Sequence, residues 1–159
     1  MLWCRYIVIS LLSLSVTSLD ATTFPKGCEP TGFQFGHDFL VLNSDGKQTY
    51  YLIQNASHKT IQLERYETHE VFMSPKLEAT FLPSNWSAFA SDEKGLFFSC
   101  AEKNEETFSK VNCETVLKVC QYPRVRFALS NMGNYWVSSN KSMQMVINES
   151  VAKGIYLKW

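Results

Sequence analysis

The sequence predicts a mainly β protein, an antiparallel β-sandwich or barrel-like domain with one late C-terminal α-helix followed by a final strand. Three observations carry this prediction. Short runs rich in Phe, Tyr and Val recur with a period of two, turn-prone segments separate them at close spacing, and a single stretch near the end has helical spacing. Residues 1–18 are interpreted as a signal peptide, which leaves 19–159 as one disulfide-bonded domain.

The N-terminus has the pattern of a secretory signal peptide. Arg5 precedes an apolar run over residues 6–16, which is shorter than the about 20 residues that a membrane-spanning helix needs. Val16 and Ser18 supply the small residues for a cut after Ser18, and a cut after Ala21 is the alternative. The mature chain is therefore expected to be periplasmic or secreted, with no transmembrane segment.

The body of the chain is a series of short predicted strands. The turn-prone segment NSDG lies between the first two runs and predicts a hairpin. Polar or Pro-containing turns separate the later ones. In chain order the runs are DFLVLN, QTYYLIQN, TIQLERY, EVFM, EATFL, SAFA, GLFFSCA, TVLKVCQY and VRFALS.

The stretch CQYPRVRFALSNMGNYWV is interpreted as two strands and a turn. Pro123 cannot donate a hydrogen bond within a sheet, so it bends the chain or marks an edge. Arg124 and Arg126 alternate with apolar residues and form either a solvated face or a clamp for an anion or carboxylate. Gly133 can take a positive φ in the turn. Trp136, which follows it, belongs either to the core or to an aromatic platform for a sugar.

The C-terminal segment predicts a helix over about 140–153. Its apolar residues have helical spacing, Ser138, Ser139 or Asn140 can cap its start, and Gly154 fits the position just past its end. The last five residues, IYLKW, then alternate as a final strand with its first, third and fifth side chains inward.

Four cysteines remain after removal of the signal peptide, and an even number in an exported chain predicts two disulfides. Cys113 and Cys120 are too far apart on a strand or a helix to pair unless the chain reverses between them. The preferred pairing is Cys100 with Cys113, across the polar loop EKNEETFSK, and Cys28 with Cys120. The exchange, Cys28 with Cys113 and Cys100 with Cys120, stays open.

Composition and motifs exclude several functions. The chain has 15 basic and 15 acidic residues, so it lacks the cationic surface that nucleic acid requires. No catalytic, phosphate-binding, metal-binding or dinucleotide motif occurs, which predicts no enzyme, no metal site and no cofactor. The four glycosylation sequons, at Asn55, Asn85, Asn140 and Asn148, are interpreted as chance and capping chemistry; in a eukaryotic protein they would indicate a glycoprotein.

Several segments resemble the small exported enhanced-entry B proteins of intracellular bacterial pathogens. They are NWSAFA, CETVLKVC, NYWVSSNKS and the late helix ending in KGI. The resemblance implies a role in host-cell entry or intracellular survival, and it brings no catalytic residues. The expected function is thus a non-catalytic protein-binding module, with a protein partner in the envelope or on the host side. The alternative is a small periplasmic enzyme or enzyme accessory that acts on the cell envelope.

Overall fold

A computed structural model describes residues 24–33, 38–66, 76–128 and 133–158. The predicted signal peptide, the EVFM run and Trp159 lie outside these ranges. The elements are β1 (Glu29–Pro30), β2 (Phe39–Leu42), β3 (Thr49–Asn55), β4 (Ile61–Tyr66), β5 (Lys76–Phe81), β6 (Trp86–Ser91), β7 (Leu96–Asn104), β8 (Thr107–Val111), α1 (Cys113–Val116), β9 (Leu117–Tyr122), β10 (Val125–Phe127), β11 (Tyr135–Lys141), α2 (Met143–Ala152) and β12 (Ile155–Leu157).

The strands form two larger antiparallel sheets and one small ribbon. The central sheet has the order β1-β9-β3-β6-β11, and the outer sheet has the order β2-β7-β4-β5, with β8 also paired to β7. The ribbon consists of β10 and β12. The predicted mainly β, antiparallel fold with a late helix and a final strand is confirmed. Since the described strands of neither sheet close into a ring, the sandwich form is found and not the barrel.

The central sheet is buried on both faces. Tyr51 and Ile53 of β3 point into the inter-sheet core, which the outer sheet covers. Tyr50 and Leu52 point the opposite way, into a second core that α2 and the ribbon cover. This arrangement explains why β3 is apolar at consecutive positions, since a strand that packs on both faces has no solvent side. The sandwich therefore carries a third layer that the sequence did not predict.

The hairpin predicted at NSDG is wrong. The turn itself forms, with Asp45 and Gly46 at positive φ and a hydrogen bond from Lys47 N to Ser44 O. The two flanking strands, however, join different sheets: β2 pairs with β7, whereas β3 pairs with β6 and β9. A turn sequence reports the local reversal of the chain, while the sheet that each strand joins depends on distant partners.

The helix begins later than predicted. Strand β11 continues to Lys141, and α2 starts at Met143 with Ser142 as its N-cap. Asn140 does not cap the helix, because its side chain accepts a hydrogen bond from Leu82 N and donates one to Thr80 O. The end of the helix agrees with the prediction, since Gly154 follows it at φ 82°.

The disulfides follow the preferred pairing. Cys28 bonds to Cys120 and Cys100 to Cys113, with Cα–Cα distances of 5.5 and 5.3 Å. Cys100 and Cys113 lie in the inter-sheet core, while Cys120 lies in the second core. The exchanged pairing is excluded because the side chain of Cys120 lies on the face of the central sheet opposite Cys100.

The chain between Cys100 and Cys113 is a hairpin with a longer paired region than expected. Strand β7 continues to Asn104, the chain turns at Glu105 with φ 54°, and β8 returns along β7. One turn of helix, α1, then precedes β9. This short helix was not predicted: Asn112 caps it by accepting a hydrogen bond from Glu114 N.

Candidate binding surface on the terminal ribbon

The ribbon brings together two segments that are distant in the sequence. Pro123 follows β9, and β10 begins two residues later with alternating basic and apolar residues. Strand β12 begins after Gly154, where the chain passes very close to β10. A Cβ atom at Gly154 would lie 2.9 Å from the Ala128 Cβ atom, so only glycine fits both the contact and the positive φ.

The inner face of the ribbon is apolar. Val125 faces Leu157 and Phe127 faces Ile155 across the two strands. All four side chains pack into the second core, where Ile155 and Leu157 are buried and the other two are partly buried. The predicted alternation of β10 and the predicted inward side chains of the final strand are confirmed within the described residues.

The outer face is basic and solvent-exposed. Arg126 lies directly opposite Tyr156, and Lys158 N donates a hydrogen bond to Arg124 O at 3.3 Å. Since alternate residues of a strand share a face, Arg124, Arg126, Tyr156 and Lys158 form one surface, here called the basic strip. All four are exposed, Tyr156 to 47%.

The side chains of the cations in the basic strip have no partner among the residues that the structure describes. Within the described ranges no ion pair or side-chain hydrogen bond involves Arg124, Arg126 or Lys158. Lys59, by contrast, forms an ion pair with Glu102, with 2.6 Å between Nζ and Oε1. In a chain of zero formal net charge, three neighbouring cations without a described ion-pair partner form a locally positive site. Arginine binds carboxylates and phosphates through two parallel hydrogen bonds, so the strip can hold an anionic ligand.

Glu149, the acidic residue of α2, already has partners of its own. Glu149 forms an ion pair with Lys141 and accepts a hydrogen bond from Ser138 at 2.8 Å. These two hydrogen bonds, first that from Lys141, lower the pKa of Glu149. Lys153 donates to the backbone oxygen of Val137. Glu149 is thus held on β11.

Trp136 lies away from the basic strip. Its ring packs in the inter-sheet core, with centroids 5.5 Å from Phe81 and 4.8 Å from Phe89. Its Nε1 donates a hydrogen bond to Glu78 at 3.2 Å. The central sheet separates this core from the core below the ribbon. The structure therefore brings Arg124 and Arg126 together and does not bring Trp136 to them.

Sequence reasoning missed Tyr156 and Lys158 as members of the surface. The alternation of IYLKW already placed them opposite Ile155 and Leu157 and hence on the outer side. The pairing of β12 with β10, which sets them beside the arginines, has no signal in either segment alone.

Strands β2 and β8 pair with successive parts of the same edge of β7, and a groove of about 260 Å³ lies between them. Asp38, Ser99 and Lys110 are among its lining residues, and Ser99 Oγ donates to Glu64 Oε2 at 3.2 Å. No histidine is among its described lining residues. Ser99 is buried, so this part-buried hydrogen bond holds its hydroxyl against β4.

Two of the four sequon asparagines have structural roles. Asn55 is fully buried; its amide donates to Lys59 O and Phe81 O and accepts from Ser57. Asn140 bridges β11 to β5, as described above. Asn148 is exposed on α2 and accepts from Gln144.

Comparisons with protein-family models, with curated proteins and with solved structures find no match. In the described ranges no group of His, Cys, Asp or Glu side chains is arranged to hold a metal ion. No described helix has the length and apolar character to cross a membrane.

Proposed function

We propose that this protein is an exported, non-catalytic module that binds a protein partner through the basic strip. The observation that carries the proposal is the group of three exposed cations and one exposed tyrosine on one face of the ribbon, with no ion pair to any other described residue. Arginine and tyrosine are enriched among the residues that dominate protein–protein binding. A small face of this kind favours a transient complex with an acidic partner surface.

The two disulfides support an oxidising compartment, since such bonds form in exported proteins and are rare in the cytosol. The N-terminal signal-peptide pattern supports export itself. We place the mature protein in the periplasm or outside the cell, with its partner in the envelope or on the host side.

The biological role is taken from the resemblance to the enhanced-entry B proteins. It associates the binding activity with host-cell entry or intracellular survival. The basic strip supplies a charged and aromatic surface for such a role.

The test is a pull-down with chemical cross-linking from the native envelope fraction and from host-cell lysate. The strip variant is Arg124→Glu/Arg126→Glu. Its matched control is Lys103→Glu/Lys110→Glu, which makes the same charge change on two exposed strand residues of the outer sheet. We expect the strip variant to lose the cross-linked partner and the control to keep it. Equal capture by wild type and both variants would overturn the proposed role of the strip.

A further inference from the structure

The ribbon leaves a sheet edge open beside the arginines. Strand β10 pairs with β12 on one side, and in the described ranges no strand pairs with its other side. We propose that this outer edge of β10 accepts an extended acidic segment as a third antiparallel strand, with glutamate or aspartate at alternate positions. This inference rests on the proposed function and specifies the partner's chemistry and its mode of binding.

The hydrogen bonds of the ribbon fix which backbone groups are available. Ala128 N donates to Gly154 O at 2.7 Å, and Lys158 N donates to Arg124 O at 3.3 Å. Hydrogen-bonded pairs alternate with non-bonded pairs along an antiparallel ladder. Arg126, midway between these two contacts in the register, therefore directs its N–H and C=O groups toward β12.

Val125 and Phe127 occupy the alternate positions of β10, which are not hydrogen-bonded to β12. Their N–H and C=O groups point toward the outer edge of β10, where no hydrogen bond to another described residue is present. Unpaired backbone groups on an edge strand are a template for an added strand, and peptide-binding domains use this mode of recognition. Pro123, just before β10, limits the ladder at one end because it has no N–H.

The same alternation sets the chemistry of the added strand. Arg124 and Arg126 occupy non-hydrogen-bonded positions relative to it, where facing Cα atoms are only about 4.5 Å apart. The facing residues are two apart in the partner and point to the outer face, as the arginines do. A carboxylate at each position meets one arginine directly, and opposite charges facing each other across strands stabilise the pairing. Alternate acidic residues therefore fit the edge, whereas contiguous ones place a charge toward the apolar face.

The experiment compares two blocked heptapeptides of identical composition, TEVEVET and its isomer TVEEEVT, by fluorescence anisotropy at physiological ionic strength. We expect TEVEVET to bind at least about tenfold more tightly than the isomer. Amide hydrogen exchange should slow at Val125 and Phe127 when TEVEVET is bound. Backbone N-methylation of TEVEVET should abolish binding, because it removes the N–H donors but leaves the charge.

Variants and lipid vesicles separate the outcomes. Arg124→Glu/Arg126→Glu should lose TEVEVET binding, while Lys103→Glu/Lys110→Glu should retain it. Three results would overturn strand addition. They are equal affinity for the two isomers, unchanged amide exchange at Val125 and Phe127, and binding to phosphatidylglycerol vesicles as tight as binding to TEVEVET, since vesicles offer negative charge without a strand. If the strip variant loses its cross-linked partner but the isomers bind equally, the proposed function stands and this inference fails. If the variant affects neither readout, both fail.

Discussion

At the residue scale, Asn55 shows that a sequon residue can be a structural one. Its buried amide joins the end of β3 to the end of β5 and to the loop that follows β3. Both the donor and the acceptor of the side chain are used inside the protein. Asn55 therefore has a structural role that the interpretation of the sequons as chance and capping chemistry did not include.

We predict that Asn55→Leu destabilises the protein by about 2–4 kcal/mol, because it leaves buried backbone oxygens without a donor. The free energy of unfolding in urea measures this loss. The control is Asn148→Ala, a sequon asparagine on the exposed face of α2, which should cost less than about 0.5 kcal/mol. Similar losses for the two variants would contradict the role given to Asn55.

Buried tyrosines give the protein a defined sensitivity to alkali. Burial raises the pKa of Tyr51 and of Tyr122 to about 12. Burial also raises the pKa of Tyr50, although the hydrogen bond with Ser150 at 2.6 Å acts in the opposite direction. In the unfolded chain a tyrosine loses its proton near pH 10.

We predict that the free energy of unfolding falls between about pH 10 and 12. Below pH 10 both states keep the tyrosine protons; above it the unfolded state releases them first, so the unfolded state gains stability as pH rises. Tyr51→Phe has no phenol to ionise and should lose less stability than wild type over this range. Denaturant unfolding at several pH values tests this, and parallel pH profiles for both proteins would refute it.

At the element scale, the final strand joins the helix to the ribbon. Ile155 and Leu157 are buried in the second core, and Gly154 permits the return of the chain beside Ala128. The predicted role of this strand in the domain follows from its sequence alternation. The pairing of this strand with β10 does not follow from the sequence, because β11 and α2 lie between the two strands in the chain.

We predict that deletion of residues 154–159 unfolds the domain. Burial of Ile155 and Leu157 alone contributes roughly 3–6 kcal/mol before entropy is subtracted, which is comparable with the stability of a small domain. Leu157→Ala should lower the stability by about 2–5 kcal/mol, whereas Tyr156→Ala, at an exposed position, should change it by less than about 1 kcal/mol. Thermal unfolding measures all three, and a midpoint within about 2 °C of wild type for the deletion would show that the strand is dispensable.

At the scale of the whole molecule, each core contains one disulfide. Cys100–Cys113 lies between the two sheets, and Cys28–Cys120 lies in the second core, where it joins the residue before β1 to β9. In the chain-entropy account, the longer loop of the second bond contributes about 4–5 kcal/mol and the shorter one about 3 kcal/mol. One disulfide thus lies on each side of the central sheet, and Cys28–Cys120 fastens the edge strand β1 to its neighbour β9.

We predict no free thiol in the mature protein. Titration with a thiol reagent under denaturing, non-reducing conditions should detect no thiol, and one thiol would indicate that Cys4 and the signal peptide are retained.

The intact mass of the native protein should show an N-terminus after Ser18 or Ala21. Two or more thiols, or a cross-linked peptide that joins Cys100 to Cys120, would contradict the disulfide assignment.

The sequence by itself determined the fold class, the faces of β4, β10 and β12, and the order of helix and final strand. These features could be predicted because they depend on local properties of the chain, namely the alternation of side chains along a strand and the glycine at the end of the helix. Only the tertiary structure decided that β2 and β3 separate into different sheets, that the helix starts after Asn140, and that β10 meets β12. Each of these depends on partners distant in the chain, and a period of two says which way a side chain points without saying which strand lies beside it. The basic strip is the result of both: alternation exposed its four side chains, and strand pairing assembled them.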